Sequence, residues 1–85
     1  MKILKFLAPW CGQCKVLTRN LSKFDACELV EIDVEDDENG DIVEKYSIQS
    51  LPTMVLVNEN GDELKRWNGI VSLNDLLNDI KDFVL

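Results

Sequence analysis

Trp10-Cys11-Gly12-Gln13-Cys14-Lys15 decides how this chain is read. The hexapeptide follows an apolar run, Ile3-Leu4-Lys5-Phe6-Leu7, and precedes apolar residues at helical spacing, Val16, Leu17, Leu21 and Phe24. Cysteines three apart in the first turn of a helix share one face. Their sulfurs can close a disulfide without moving the backbone. The same turn carries N–H groups with no intrahelical acceptor and the positive end of the helix dipole. Both favour a thiolate on the first cysteine, and the thiolate is the form that attacks a disulfide. Cys11 is therefore expected to be the nucleophile and the more exposed sulfur, with Cys14 as the resolving thiol. A purely stabilising disulfide is the weaker alternative, because so short a loop removes little entropy from the unfolded chain.

Ala8-Pro9-Trp10-Cys11-Gly12-Gln13-Cys14-Lys15 resembles the active-site segment of the thioredoxins, W-C-G-P-C-K. Ile48-Gln49-Ser50-Leu51-Pro52-Thr53 is similar to the family's second signature, an apolar residue, a cis-proline and a threonine. Trp67-Asn68-Gly69 matches the late glycine that borders the substrate groove. The three matches come in the family's order and span nearly the whole chain. The departures are Gln13 in place of proline, Lys5 where the family usually buries an aspartate, and no counterpart of the N-terminal strand and helix. The chain begins almost at the strand leading into the active site, which brings its length closer to that of the glutaredoxins.

Eighty-five residues imply one small domain, residues 1–85, with a modest core. No stretch is apolar for long enough to cross a bilayer. Met1-Lys2-Ile3-Leu4-Lys5 has a basic, apolar character, but it merges into the cysteine segment and is too short for a signal peptide, so a cytoplasmic location is expected. Three cysteines with one tight pair suit redox chemistry better than a disulfide framework. A chain with no histidine and no second C-x-x-C lacks a structural metal set, so no metal is expected. The net charge is −7, yet the five basic residues Lys2, Lys5, Lys15, Arg19 and Lys23 precede every carboxylate. Overall acidity argues against nucleic-acid binding, which needs a concentrated basic face. The basic segment reads as a solvated helix face that can also favour the Cys11 thiolate.

Along the chain, residues 2–7 read as a buried strand and residues 11–23 as a helix. Leu29-Val30-Glu31-Ile32-Asp33-Val34 alternates like a second strand. Glu35-Asp36-Asp37-Glu38-Asn39-Gly40 reads as a solvated loop. Asp41-Ile42-Val43-Glu44 has the form of a capping box, starting a short helix that ends near Tyr46. Pro52 introduces the strand Thr53-Met54-Val55-Leu56-Val57, Asn58-Glu59-Asn60-Gly61 turns the chain, and Glu63-Leu64-Lys65-Arg66-Trp67 returns as a charged edge strand. Ser72-Leu73-Asn74-Asp75 opens a last helix, whose stripe Leu73, Leu76, Leu77, Ile80, Phe83 and Val84 is expected to face the core. Cys27, without a partner in sequence, is expected to be a buried, inert thiol.

The order β-α-β-α-β-β-α gives an α/β fold. The resemblance implies a minimal thioredoxin-like version of it, a four-stranded mixed sheet in the order 2-1-3-4 with three helices. It also implies a protein-disulfide reductase that works through its own dithiol and needs no cofactor. Disulfide-containing proteins would be its substrates, a thioredoxin-reductase-type flavoprotein would recharge it, and it would act as a monomer. Trp10, Gly12, Gln13, Leu51, Pro52, Gly69 and Ile70 would form the substrate-binding rim, with Pro52 in cis and Leu51 offering its backbone to an extended substrate. A glutaredoxin-like enzyme recharged by glutathione is the alternative, and a non-catalytic binding scaffold is a second one. Lys5 replaces the aspartate that the family places beneath the site, and Glu31 falls on the next strand, where many members carry its partner. A pair with exchanged charges, tuning the cysteines, is therefore expected; the competing reading has both side chains reaching solvent.

Overall fold

The computed structural model describes residues 1–84. Four strands, β1 (Lys2–Leu7), β2 (Glu28–Asp33), β3 (Thr53–Val57) and β4 (Glu63–Asn68), form one sheet in the order β2-β1-β3-β4. Strand β1 runs parallel to β2 and antiparallel to β3, and β3 pairs antiparallel with β4. Three helices complete the chain: α1 (Gly12–Asn20), α2 (Gly40–Lys45) and α3 (Leu73–Val84). This is the mixed, four-stranded architecture expected from the sequence.

The central strands are buried on both faces, which is why β1 and β3 are apolar almost throughout, with Lys5 the interruption in β1. Alternation along β1 sends Ile3 towards one layer and Leu4 and Phe6 towards the other. Ile3 joins Leu17 of α1, Leu21 just after it, Met54 and Leu56 of β3, Trp67 of β4, and Leu76 and Ile80 of α3. Leu4 and Phe6 join Ile32, Tyr46, Val55 and Val57, under α2. Lys5 lies on the Ile3 side, where a charge is least at home.

Several boundaries differ from the sequence reading. Helix α1 stops at Asn20 rather than near Lys23. Leu21 N–H caps it by bonding to Leu17 O, and tight turns through Ser22 and Phe24 bring Leu21 into the core. The acidic stretch is not wholly loop: Asp37–Asn39 forms a 3-10 turn, capped by Asp36, whose carboxylate accepts from Glu38 N–H at 3.0 Å. Helix α2 continues directly from it at Gly40, so the expected capping box is absent and Asp41 lies inside the first turn. An aspartate there still favours the helix by facing its positive end.

Helix α2 ends in a two-bond motif that the sequence did not announce. Ser47 N–H bonds to Glu44 O at 3.0 Å and Ile48 N–H to Val43 O at 3.2 Å. The motif requires a left-handed residue after the helix, and Ser47 supplies it with φ at +52°. At α3 the expected cap is present, with Ser72 Oγ accepting from Asp75 N–H at 3.1 Å. Only the middle of its stripe is core. Leu76 and Ile80 are buried and Leu73 packs beside them, whereas Leu77 and Phe83 sit exposed on the two margins. At about 100° per residue the stripe is wider than the surface the sheet presents. The side chain of Val84, assigned to the same stripe, lies outside the described residues.

Candidate active site

The end of β1 delivers Ala8-Pro9-Trp10 to the start of α1, and Cys11 is the residue that caps this helix. Its extended backbone, φ −84° and ψ 105°, lets the side chain fold back over the first turn. Cys14 N–H then donates to Cys11 Sγ at 3.1 Å. Cys11 and Cys14 are joined as a disulfide, with Cα atoms 5.3 Å apart. Cys11 Sγ therefore accepts a first-turn N–H, one of the donors a helix leaves without an internal partner. When the bond is reduced, that donor and the helix dipole favour the thiolate on Cys11. Both sulfurs are largely covered: Cys11 is 6 % exposed and Cys14 3 %, packed with Ala8 and flanked by Leu7, Val34 and Leu51. The expected difference in exposure between the two cysteines is therefore small. What separates them is the space each one meets.

Cys11 opens onto a groove of about 440 Å³. Trp10 and Leu51 line it, together with Val34 from the end of β2, Val43 from α2, and Ile48 at the start of the following loop. Trp10 is 68 % exposed, and its indole N–H donates to a Glu35 carboxylate oxygen, which holds the ring beside the groove. The Leu51–Pro52 peptide bond is cis. Pro52 is buried and Leu51 half-buried. Two hydrogen bonds anchor this corner: Thr53 Oγ1 bonds to Ser50 O at 2.8 Å, and Gly69 N–H bonds to Pro52 O at 2.8 Å. Gly69 makes its bond with φ at +94°, a conformation open to glycine and strained for a residue with a Cβ.

The sequence-derived residues thus gather at one end of the sheet, in three roles. Trp10, Cys11 and Leu51 form the groove wall. Gly12 and Gln13 are exposed on the first turn of α1. Gly69 is tied to Pro52 behind the wall, and Ile70, beyond it, is exposed without lining the groove. Val34, Val43, Ile48 and the carboxylate of Glu35 were missed as site residues. Apolar positions on a strand and on a short helix carry no mark of which end of the sheet they will meet.

Lys5 and Glu31 occupy paired positions on the parallel strands β1 and β2. Lys5 is 2 % exposed, and its Nζ donates to Glu31 Oε2 at 3.0 Å and to Thr18 Oγ1 of α1. Glu31 is 54 % exposed at its side chain, so the pair joins a buried ammonium to a half-solvated carboxylate. Cys27 lies against the α1–α3 side of the core, half-buried rather than fully enclosed. Burial pushes its thiol pKa up, the nearby N-terminal ammonium opposes the shift, and Glu28 adds to it. Cys27 is therefore a poor nucleophile near neutral pH. Among the described residues no cluster of three or more His, Cys, Asp or Glu side chains is placed to hold a metal, and no helix is long and apolar enough to cross a membrane.

Comparison with known proteins gives one answer. The family profile described as Thioredoxin matches residues 1–82. Thioredoxin of Mycoplasma genitalium is 40 % identical over 73 residues, covering 81 % of this chain and 69 % of that protein. Protein disulfide-isomerase of Hordeum vulgare is 33 % identical over 75 residues, covering 79 % of this chain; the chain spans only 15 % of that longer protein. Among solved structures, a mutant thioredoxin from Halobacterium salinarum superposes with a TM-score of 0.82 at 26 % identity, over 99 % of this chain and 74 % of that one. The profile covers nearly the whole chain and the fold superposes on a thioredoxin: the chain belongs to the thioredoxin family.

Proposed function

We propose that this protein is a thiol–disulfide oxidoreductase that reduces disulfides of protein substrates. The observation that carries the reading is the Cys11–Cys14 disulfide at the start of α1, with Cys11 Sγ accepting a backbone N–H and facing the groove. In the reduced protein, the Cys11 thiolate attacks one sulfur of a substrate disulfide. The substrate S–S bond breaks, one substrate sulfur leaves as thiolate, and a mixed disulfide forms on Cys11. Cys14 then attacks Cys11 Sγ, releases the second substrate thiolate and regenerates the intramolecular disulfide. Two electrons pass from the dithiol to the substrate, so no metal or organic cofactor enters the step.

The groove supports an extended polypeptide as the substrate. Its apolar walls at Val34, Val43 and Ile48 suit side chains flanking a cystine, and Trp10 supplies a broad amphipathic face. Leu51 lines the same groove, and its backbone would pair with a substrate strand. Gly12, Gln13 and Ile70 are exposed around the site and belong to the surface that such a substrate would approach.

We further assign recharging to a thioredoxin-reductase-type flavoprotein, with the protein acting as a monomer in the cytoplasm. NADPH oxidation tests this with an insulin-like disulfide as the final acceptor and either thioredoxin reductase or glutathione plus its reductase as the electron source. Turnover with thioredoxin reductase is expected. Turnover only with glutathione would replace that partner, and no turnover with either would remove the reductase reading.

A further inference from the structure

The cysteine pair stands between two clefts. Cys11 meets the substrate groove, whereas Cys14 meets a second cleft of about 330 Å³, floored by Ala8-Pro9 and walled by Lys15, Thr18 and Glu31. Among the described residues lining this rear cleft, Glu31 is the one carboxylate. Its position is fixed from below. Lys5 Nζ, buried under the cleft, bonds to Glu31 Oε2 on β2 at 3.0 Å and to Thr18 Oγ1 on α1. Thr18 stands one helical turn after Cys14 on the same face of α1. A buried ammonium thus ties together the two exposed polar groups that border the resolving cysteine.

The resolving step creates a need at this place. Cys14 is 3 % exposed, and burial disfavours a thiolate, so its proton requires an acceptor before it can attack. We propose that the rear cleft is the proton port of the resolving thiol, in which Glu31 accepts the Cys14 proton through cleft water and Lys5 and Thr18 hold Glu31 in place. This rests on the dithiol reading above. At the mixed-disulfide stage the Cys14 Sγ–H bond breaks and its proton passes by water to a Glu31 oxygen. The sulfur electron pair forms the Cys14–Cys11 bond, and the Cys11–substrate bond breaks with its pair on the departing thiolate. Glu31, being half-solvated, returns the proton to bulk water. Lys5 is a positioning residue here; together with Lys15 across the cleft it also lends a positive field to the developing Cys14 thiolate.

Stopped-flow mixing of the reduced protein with an aromatic disulfide that releases a coloured thiolate reads both steps. Attack by Cys11 releases the first thiolate and resolution by Cys14 the second. Glu31→Gln keeps the shape of a half-exposed side chain. It is expected to slow the second phase by about tenfold or more while changing the first by less than about twofold, with added acetate restoring the second phase. Lys5→Met is expected to slow the same phase, and the double variant to be no slower than the slower single variant, because the two act as one unit. An unchanged second phase in Glu31→Gln, or both phases slowed alike and unresponsive to acetate, overturns the proton port while leaving the reductase reading intact. Absence of both phases in the unmodified protein overturns the reductase reading and the port together.

Discussion

Replacing Lys5 by methionine should make the protein more stable and a worse catalyst. The ammonium is 2 % exposed and makes two hydrogen bonds, to Glu31 and Thr18. Hydrogen bonds to a charged group contribute about 1.5–3 kcal/mol each. Against them stands the desolvation of the ion, several kcal/mol even after relaxation. Both acceptors sit on residues exposed to solvent, so they regain water when the lysine is lost and no buried polar group is orphaned. Methionine has a similar length, and its thioether can pack beside Ile3, Leu17 and Met54, which face the same layer. The balance favours the variant by about 1 kcal/mol, on the order of 4–8 °C in Tm for a domain of this size. Urea unfolding of the oxidised forms measures it as a higher midpoint at unchanged slope. A loss of more than about 2 kcal/mol would refute the reasoning, since it would make the ion pair a net stabiliser that needs no functional explanation.

Two further outcomes follow from the helix ends. Ser47 holds φ at +52° in the motif that ends α2, so Ser47→Gly should raise stability by roughly 0.5–1 kcal/mol, read by the same urea titration; a loss would show that the serine side chain is needed there. Gln13→Pro removes an N–H from the first turn of α1 and should weaken thiolate stabilisation, giving a more negative reduction potential on equilibration with glutathione; a less negative potential would contradict this.

The strands β1 and β3 were legible because they are buried on both faces and are apolar almost throughout, Lys5 being the interruption in β1, whereas the order of the sheet came from the family resemblance. The cysteine spacing marked the start of α1, although Cys11 proved to be its cap rather than a residue of its first turn, and Ser72 announced the cap of α3. Helix α2 was harder to place. Its entry is set by Asp36 and a 3-10 turn inside a stretch so acidic that it resembled a connector. Its exit uses a left-handed serine, which composition does not mark. The groove was only half legible, since Trp10, Ile48 and Leu51 belong to motifs, while Val34 and Val43 reach the site through packing alone. Lys5 and Glu31 were paired on the family resemblance, and the strand register of the structure agrees, but Thr18, their third member, required knowing which side of α1 faces the sheet.

The assignment of Cys11 as nucleophile and Cys14 as resolving thiol underlies both the proposed function and the rear cleft. Its most direct test is mass spectrometry of the reduced Cys14→Ser variant after incubation with a disulfide-bonded protein. A stable mixed disulfide on Cys11 is expected, because attack proceeds from the capped, groove-facing sulfur and no second thiol follows to release it. The Cys11→Ser variant should form no comparable adduct. An adduct on Cys14 in that variant, with none on Cys11 in the first, would contradict the account.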